Sequence, residues 1–161
     1  MRVDAREEFA REIALRALDR APRSRAQLAA RLASKDVAPE VAEAVLDRLE
    51  EVGLVNDQAL ADMLVRTRHS ERGLVGLALV RELTRKGIDD DAAAAAMAQV
   101  TPEDEAAAAE QVARKRLAVT RGLPRATRLR RVAGVLARKG YPPGMAYSTV
   151  RRLLEEESES A

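Results

Sequence analysis

Apolar residues recur along this chain at helical spacing, and caps and breakers divide the recurrence into short segments. Ser24 followed by Gln27 is a capping-box pattern, and it opens the stripe Leu28, Leu32. Pro39 stands where a first helical residue belongs, with Val41, Val45, Leu46 and Leu49 behind it. Gly53 ends that segment, and Asn56 caps the next one, whose buried side is Leu60, Met63 and Leu64. Thr101, Pro102, Glu103 and Asp104 combine a cap, a first-turn proline and two acids placed against a helix dipole. No segment alternates in the manner of a half-buried strand. The pattern predicts an all-α chain of about nine helices.

The pattern also repeats. Superposing Lys35, Asp36, Val37 on Lys86, Gly87, Ile88 and on Lys139, Gly140, Tyr141 gives offsets of 51 and 53 residues. Apolar positions then fall into register: Leu28, Leu79, Val132; Leu32, Leu83, Leu136; Leu46, Met97, Val150; Leu49, Val100, Leu153. In the first helices Phe9 aligns with Leu60, and Ile13 with Leu64 and Leu117. A unit of about 50 residues is marginal alone, so such units stack. The expectation is three tandem three-helix repeats forming an elongated, curved array. Repeat 1 spans 1–53, repeat 2 spans 54–100, and a basic repeat 3 spans 101–157, with 158–161 a frayed tail. Asp36 replaces the glycine of the other two turns, and Asp tolerates the left-handed conformation better than most residues.

Composition narrows the chemistry. The 161 residues contain no cysteine, one histidine, and only 2% aromatics (Phe9, Tyr141 and Tyr147). Disulfides, thiol nucleophiles and thiolate metal sites are therefore excluded, as is any site needing two histidines. No apolar run approaches the ~20 residues of a membrane span, and the acidic start (Asp4, Glu7, Glu8) does not read as a signal peptide. The expected compartment is the reducing cytoplasm, without a membrane.

Net charge is only +2, but the charge is unevenly distributed. Residues 1–55 carry 10 basic and 11 acidic groups, and 56–100 carry 6 and 7. Residues 111–152 hold 12 basic groups and not one acid. Such clustering marks a polyanion-binding or acidic-protein-binding surface. The simpler reading is a solvated face balanced by Glu155, Glu156, Glu157 and Glu159.

Candidate catalytic features resolve into structural ones. His69 lies in a polar run and is expected to face solvent. Asp89, Asp90 and Asp91 read as the acidic start of a helix. Gly73 and Gly76 lack the spacing and lysine of a phosphate loop. Alanines 92–96 read as close packing. We therefore expect a binding protein rather than an enzyme, with no cofactor and no metal. The candidate contacts are cationic: Arg128, Arg131 and Arg138 beside the stripe Leu129, Val132, Leu136, on its exposed side; Arg114, Lys115 and Arg116 at a helix end; and Arg66, Arg68, Arg72, Arg81, Arg85 and Lys86 in the middle repeat. Bases of single strands normally stack on aromatic rings. Tyr141 shares the slot of Val37 and Ile88 and is expected in the core. Contact with a backbone or a protein surface is favoured over base readout.

Two stretches resemble a known family. Gly53, Leu54, Val55, Asn56 and Asp57, then Leu60, Ala61, Arg66 and Arg68, then Arg81, Glu82, Leu83, Arg85, Lys86, Gly87 and Ile88 resemble the central repeat of the RecX family of recombination regulators. Arg131, Val132, Ala133, Gly134, Val135, Leu136, Ala137, Arg138, Lys139, Gly140 and Tyr141, followed by Pro142, Tyr147 and Val150, resemble its third repeat in an actinobacterial form. The resemblance runs over residues 8–155 and implies a small cytoplasmic protein that binds the RecA–DNA filament. It further implies restraint of ATP hydrolysis, strand exchange and filament growth in DNA repair. Arg66, Arg68, Arg81, Arg85, Lys86, Arg128, Arg131, Arg138 and Lys139 are the positions it makes candidates for contact. Two departures stand out: Leu60 occupies a slot usually aromatic, and Leu74, Val75, Leu77 and Ala78 occupy slots often basic or polar. The partners expected are the RecA filament and the backbone of single- or double-stranded DNA, for a protein that is itself a monomer. A DNA-binding helical module acting without RecA, and a helical scaffold, are the competing readings.

Overall fold

A computed structural model describes residues 4–161; residues 1–3, the opening of the expected first repeat, lie outside the described residues. Among the described residues there are nine α-helices and no strand. They are α1 (Ala5–Arg20), α2 (Arg25–Ser34), α3 (Pro39–Glu51), α4 (Asp57–Arg72), α5 (Gly76–Arg85), α6 (Asp90–Met97), α7 (Pro102–Ala118), α8 (Arg125–Arg138) and α9 (Pro143–Glu159). The chain forms two compact units. One runs up to Leu64 and includes Glu82–Ala96; the other comprises Val65–Arg81 and Met97–Ala161. Helices α4 and α5 are thus each divided between the two units.

In the first unit, the close-packing face of α1 is Ala10 and Ala14, both fully buried against Leu28, Leu32, Val41, Val45, Leu46 and Leu49. Phe9 does not join this core as its alignment with Leu60 suggested. It is 54% exposed, while Leu60 is 7% exposed. The alanine pair lets α1 approach its neighbours closely, and that register turns Phe9 outward. The predicted capping box is formed: the Gln27 N–H donates to Ser24 Oγ at 3.1 Å, and the Ser24 N–H to Gln27 Oε1 at 3.0 Å. Ser24 is fully buried, and its hydroxyl also donates to the Lys86 carbonyl. Gly87 (φ +80°) is what permits this approach, because a Cβ there would lie 2.6 Å from that of Ala26. Asp36 does adopt the left-handed conformation, at φ 60°. The α6 alanines Ala92, Ala93 and Ala96 are packed as expected, and the Asp89 carboxylate accepts from the Ala92 N–H at 2.8 Å.

The core of the second unit gathers Val75, Ala109, Ala113, Leu117, Val132, Leu136, Tyr141 and Val150. Thr101 and Asp104 cap α7 reciprocally, and hydrogen bonding from the Thr101 backbone N–H, then from its side chain, holds the Asp104 carboxyl below its usual range. Leu74 and Val75, departures from the resembled family, are buried, whereas Leu77 is 58% exposed. The turn after α8 lies against the segment before α5: the Val75 N–H donates to the Lys139 carbonyl at 2.9 Å. Tyr141 is 2% exposed and its hydroxyl donates to the Gly73 carbonyl at 2.8 Å, so the ring belongs to the core as expected. His69 is only half-buried rather than solvent-facing, with Nδ1 3.2 Å from the Leu74 carbonyl.

Candidate partner-binding surfaces

The acid-free stretch divides into cations consumed by the fold and cations left outside it. Arg128 belongs to the first group. The reading that set it on the exposed side of α8 is overturned, since the residue is 8% exposed. Arg128, Val132 and Leu136 are four apart and share one row of the helix, so the row that buries the two apolar residues buries the arginine too. Its Nη2 donates to the Leu117 carbonyl at 3.0 Å, Nε to Thr120 Oγ1 at 3.2 Å, and Nη2 to Glu157 Oε2 at 2.9 Å. It adds a donor to an end carbonyl of α7, beside those of Thr120, and ties α9 to it. Arg128 is a fastening inside the second unit.

Arg114 is likewise engaged. Its Nη2 lies 2.7 Å from Glu110 and 3.1 Å from Glu156, while Arg152 lies 3.2 Å and 2.9 Å from the same two carboxylates. Two arginines and two glutamates close a ring of zero net charge, and Arg114, then Arg152, hold the Glu110 carboxyl below its usual range. Acids near the C-terminus therefore do balance part of the basic stretch, as the simpler reading held. They take three arginines: Arg114, Arg128 and Arg152.

Lys139 is held differently. Its Nζ donates to the Arg72 carbonyl at 2.7 Å, and its pKa is lowered first by burial and then by the neighbouring Arg72 and Arg116. These groups line a cleft of about 180 Å³ with His69, Lys115 and Val112. The structure thus brings Lys115, Arg116 and Lys139 together, although they are far apart in sequence. Lys115, Arg116, Arg121, Arg125, Arg130, Arg131, Arg138 and Arg151 are exposed and make no ion pair among the described residues. On α8, Arg131 and Arg138 share a stripe with Gly134 between them, where no side chain intervenes.

The middle-repeat candidates are divided between the units. Arg66, Arg68 and Arg81 lie in the second unit, Arg85 and Lys86 in the first. Arg66 and Arg81 are exposed, with Arg66 Nη1 3.5 Å from Gln99. Arg85 is exposed, 4.0 Å from Glu82, and Arg68 and Lys86 are half-buried.

Comparison with known proteins assigns the lineage. The chain matches the first three-helix domain of RecX over residues 10–49, the second over 56–97 and the third over 103–150. The chain belongs to the RecX family. The regulatory protein RecX of Thermobifida fusca is 50% identical over 148 residues, covering 92% of this chain and 80% of that protein. The Streptomyces coelicolor RecX is 49% identical over 152 residues, covering 94% and 81%. The fold agrees: a RecX crystal structure from Lactobacillus salivarius superposes with a TM-score of 0.82 at 21% identity, covering 92% of this chain and 96% of that one. A second RecX crystal structure gives 0.79 at 26% identity, covering 91% and 72%. Three RecX three-helix domains in an all-helical chain is the expected fold class. Among the described residues no group of three or more acidic, histidine or cysteine side chains is placed to hold a metal, and no helix is long and apolar enough to cross a membrane.

Proposed function

We propose that this protein is a non-catalytic regulator that binds the RecA nucleoprotein filament. On this reading it inhibits RecA's ATPase, strand exchange and filament growth in recombination and DNA repair, within the cytoplasm. Membership of a family whose relatives carry the name regulatory protein supports the partner. The observation that carries the surface is the set of unpaired cations on the second unit, with Arg131 and Arg138 on one stripe of α8. Guanidinium groups unengaged by the fold are free to grip carboxylate or phosphate bidentately. Arg66, Arg68, Arg81, Lys115, Arg116 and Lys139 extend the proposed contact set in the second unit, and Arg85 and Lys86 are proposed contacts of the first unit. Arg114 and Arg128 do not belong to it, because their donors are spent internally.

The test is RecA's single-strand-dependent ATP turnover against rising amounts of this protein, wild type beside Arg131→Glu/Arg138→Glu. Both side chains are exposed and unpaired, so the variant keeps its fold. Suppression by wild type at well below one copy per RecA, relieved in the variant, is the expected result. Unchanged turnover at a molar excess of wild type sinks the proposal. Because the same cations could grip nucleic acid alone, a mobility shift with DNA and no RecA separates the two readings. Steeply salt-dependent binding to DNA without any effect on RecA turnover would favour direct DNA binding.

A further inference from the structure

The cations of the first unit escape any count along the sequence, because residues 1–55 are balanced at 10 basic and 11 acidic. The fold separates what the sequence mixes. Arg25 alone collects Glu43, Asp47 and Glu50 of α3, at 2.7, 2.9 and 2.9 Å. A different set of cations is left facing a cleft of about 340 Å³ between α1 and α2, on a floor of Ile13, Ala17 and Leu28. One wall is the row Arg23, Gln27, Arg31, Lys35, spaced four apart, and the other carries Arg16 and Arg20, also four apart. No acid lines this cleft, and among the described residues none of its five cations makes an ion pair.

Three features specify the chemistry it would accept. The Nε of Arg23 is buried and donates to nothing in the protein. The Gln27 carbonyl oxygen is occupied by the Ser24 N–H, which leaves its amide N–H₂ as the free end. The polar side chains of the lining therefore offer donors, and a ligand that fills the cleft must bring acceptors and negative charge. A peptide would bring backbone N–H groups that find no free side-chain acceptor in the lining. Phosphate groups bring acceptor oxygens only, and an arginine matches them bidentately. The row from Gln27 to Lys35 extends ~12 Å, more than one phosphate occupies. Helix-dipole stabilisation accounts for Arg20, Arg31 and Lys35, which stand at helix C-termini, but not for Arg16 in mid-helix or Arg23 between helices.

We propose that this cleft between α1 and α2 binds a run of consecutive phosphate groups, supplied by a free oligophosphate or by a nucleic-acid backbone. The site is independent of the RecA reading, since none of its residues is among the proposed RecA contacts. Five like charges gathered without an acid are a cost to the unliganded fold, one that a bound polyanion relieves.

The full-length protein is titrated by calorimetry at low salt with inorganic tripolyphosphate, with a short oligothymidylate and with polyglutamate. Wild type is compared with Arg16→Glu/Arg31→Glu, both at exposed positions, and with Arg11→Glu, a single charge reversal on another face of α1; thermal melts verify folding. The expected result is phosphate-ligand binding weakened about tenfold or more in the double variant and within about twofold in Arg11→Glu. For the oligothymidylate, the salt slope should also fall by about 1.4, two contacts at ~0.7 each. Binding of tripolyphosphate identifies a free oligophosphate as sufficient; binding of the oligonucleotide alone identifies the strand backbone. The proposal is overturned if neither binds, if polyglutamate binds as well as either, or if Arg11→Glu weakens binding as much as the double variant.

Discussion

Replacing Arg128 by alanine should damage the fold, whereas replacing Arg131, three residues on, should not. The Arg128 side chain is 10% exposed, against 42% for its partner Glu157. Removal takes one donor each from the Leu117 carbonyl and Thr120 Oγ1, which keep their hydrogen bond to each other, a cost of about 1–2 kcal/mol. The ion pair adds at most about 1 kcal/mol, because Glu157 is well solvated. The buried aliphatic stem contributes about another 1 kcal/mol of lost packing. The sum is near 3 kcal/mol. For a chain of this size that corresponds to a fall in Tm of about 6–12 °C. Arg131→Ala, at an exposed and unpaired position, should stay within about 0.5 kcal/mol of wild type. Urea unfolding and thermal melts of the three proteins make the comparison. If Arg128→Ala melts within about 2 °C of Arg131→Ala, the fastening role is wrong and Arg128 returns to the surface set.

Two further predictions follow from the second unit. A Cβ at Gly140 would stand 1.8 Å from the Val75 carbonyl oxygen, at a φ of +106°. Gly140→Ala should therefore cost more than about 3 kcal/mol and yield little folded protein, while Gly122→Ala, with nothing within 4 Å, should express and melt as wild type. Burial of Tyr141, and then Glu105, push its phenol up from 10.0 to about 12. The folded state prefers the neutral ring, so its stabilisation is fully present below pH 10 and is lost as pH rises through 12. The total is on the order of 2–3 kcal/mol. Denaturant midpoints across this window should fall steeply in wild type and flatten in Tyr141→Phe. That variant also loses about 1–2 kcal/mol at neutral pH, through the stranded Gly73 carbonyl.

The elements were legible because their signals are local. Ser24 with Gln27, and Thr101 with Asp104, form the capping boxes their spacing announced. Gly53 and Gly87 take the left-handed conformations required of them. What the sequence hid depends on which residue of a row faces inward, or on partners far along the chain. Phe9 reads as core from its alignment with Leu60, yet the close-packed positions beside it are the alanines Ala10 and Ala14. Arg128 looked like surface because it is charged, yet it stands one turn before Val132 on the buried row. Its acceptor Glu157 is 29 residues away, and nothing local announces that pairing. The α1–α2 cleft was missed because summing charge over a segment cancels groups that the fold sets on different faces.

The charge of this protein is therefore better described by face than by net value. In the second unit the acids at the C-terminal end do not neutralise the basic stretch uniformly. They take arginines that join α7, α8 and α9, and leave those on the outer stripe of α8 unpaired. Exposed pairs such as Arg114 with Glu156 contribute little to stability; their larger effect is to decide which cations remain available. In the first unit Arg25 acts in the converse sense, one cation drawing three carboxylates to itself and leaving five cations around a cleft without a counterion. Both arrangements turn a chain of net charge +2 into one that presents concentrated positive surface. That is the property a protein needs if it is to hold a polyanionic assembly at moderate salt while staying soluble near neutrality.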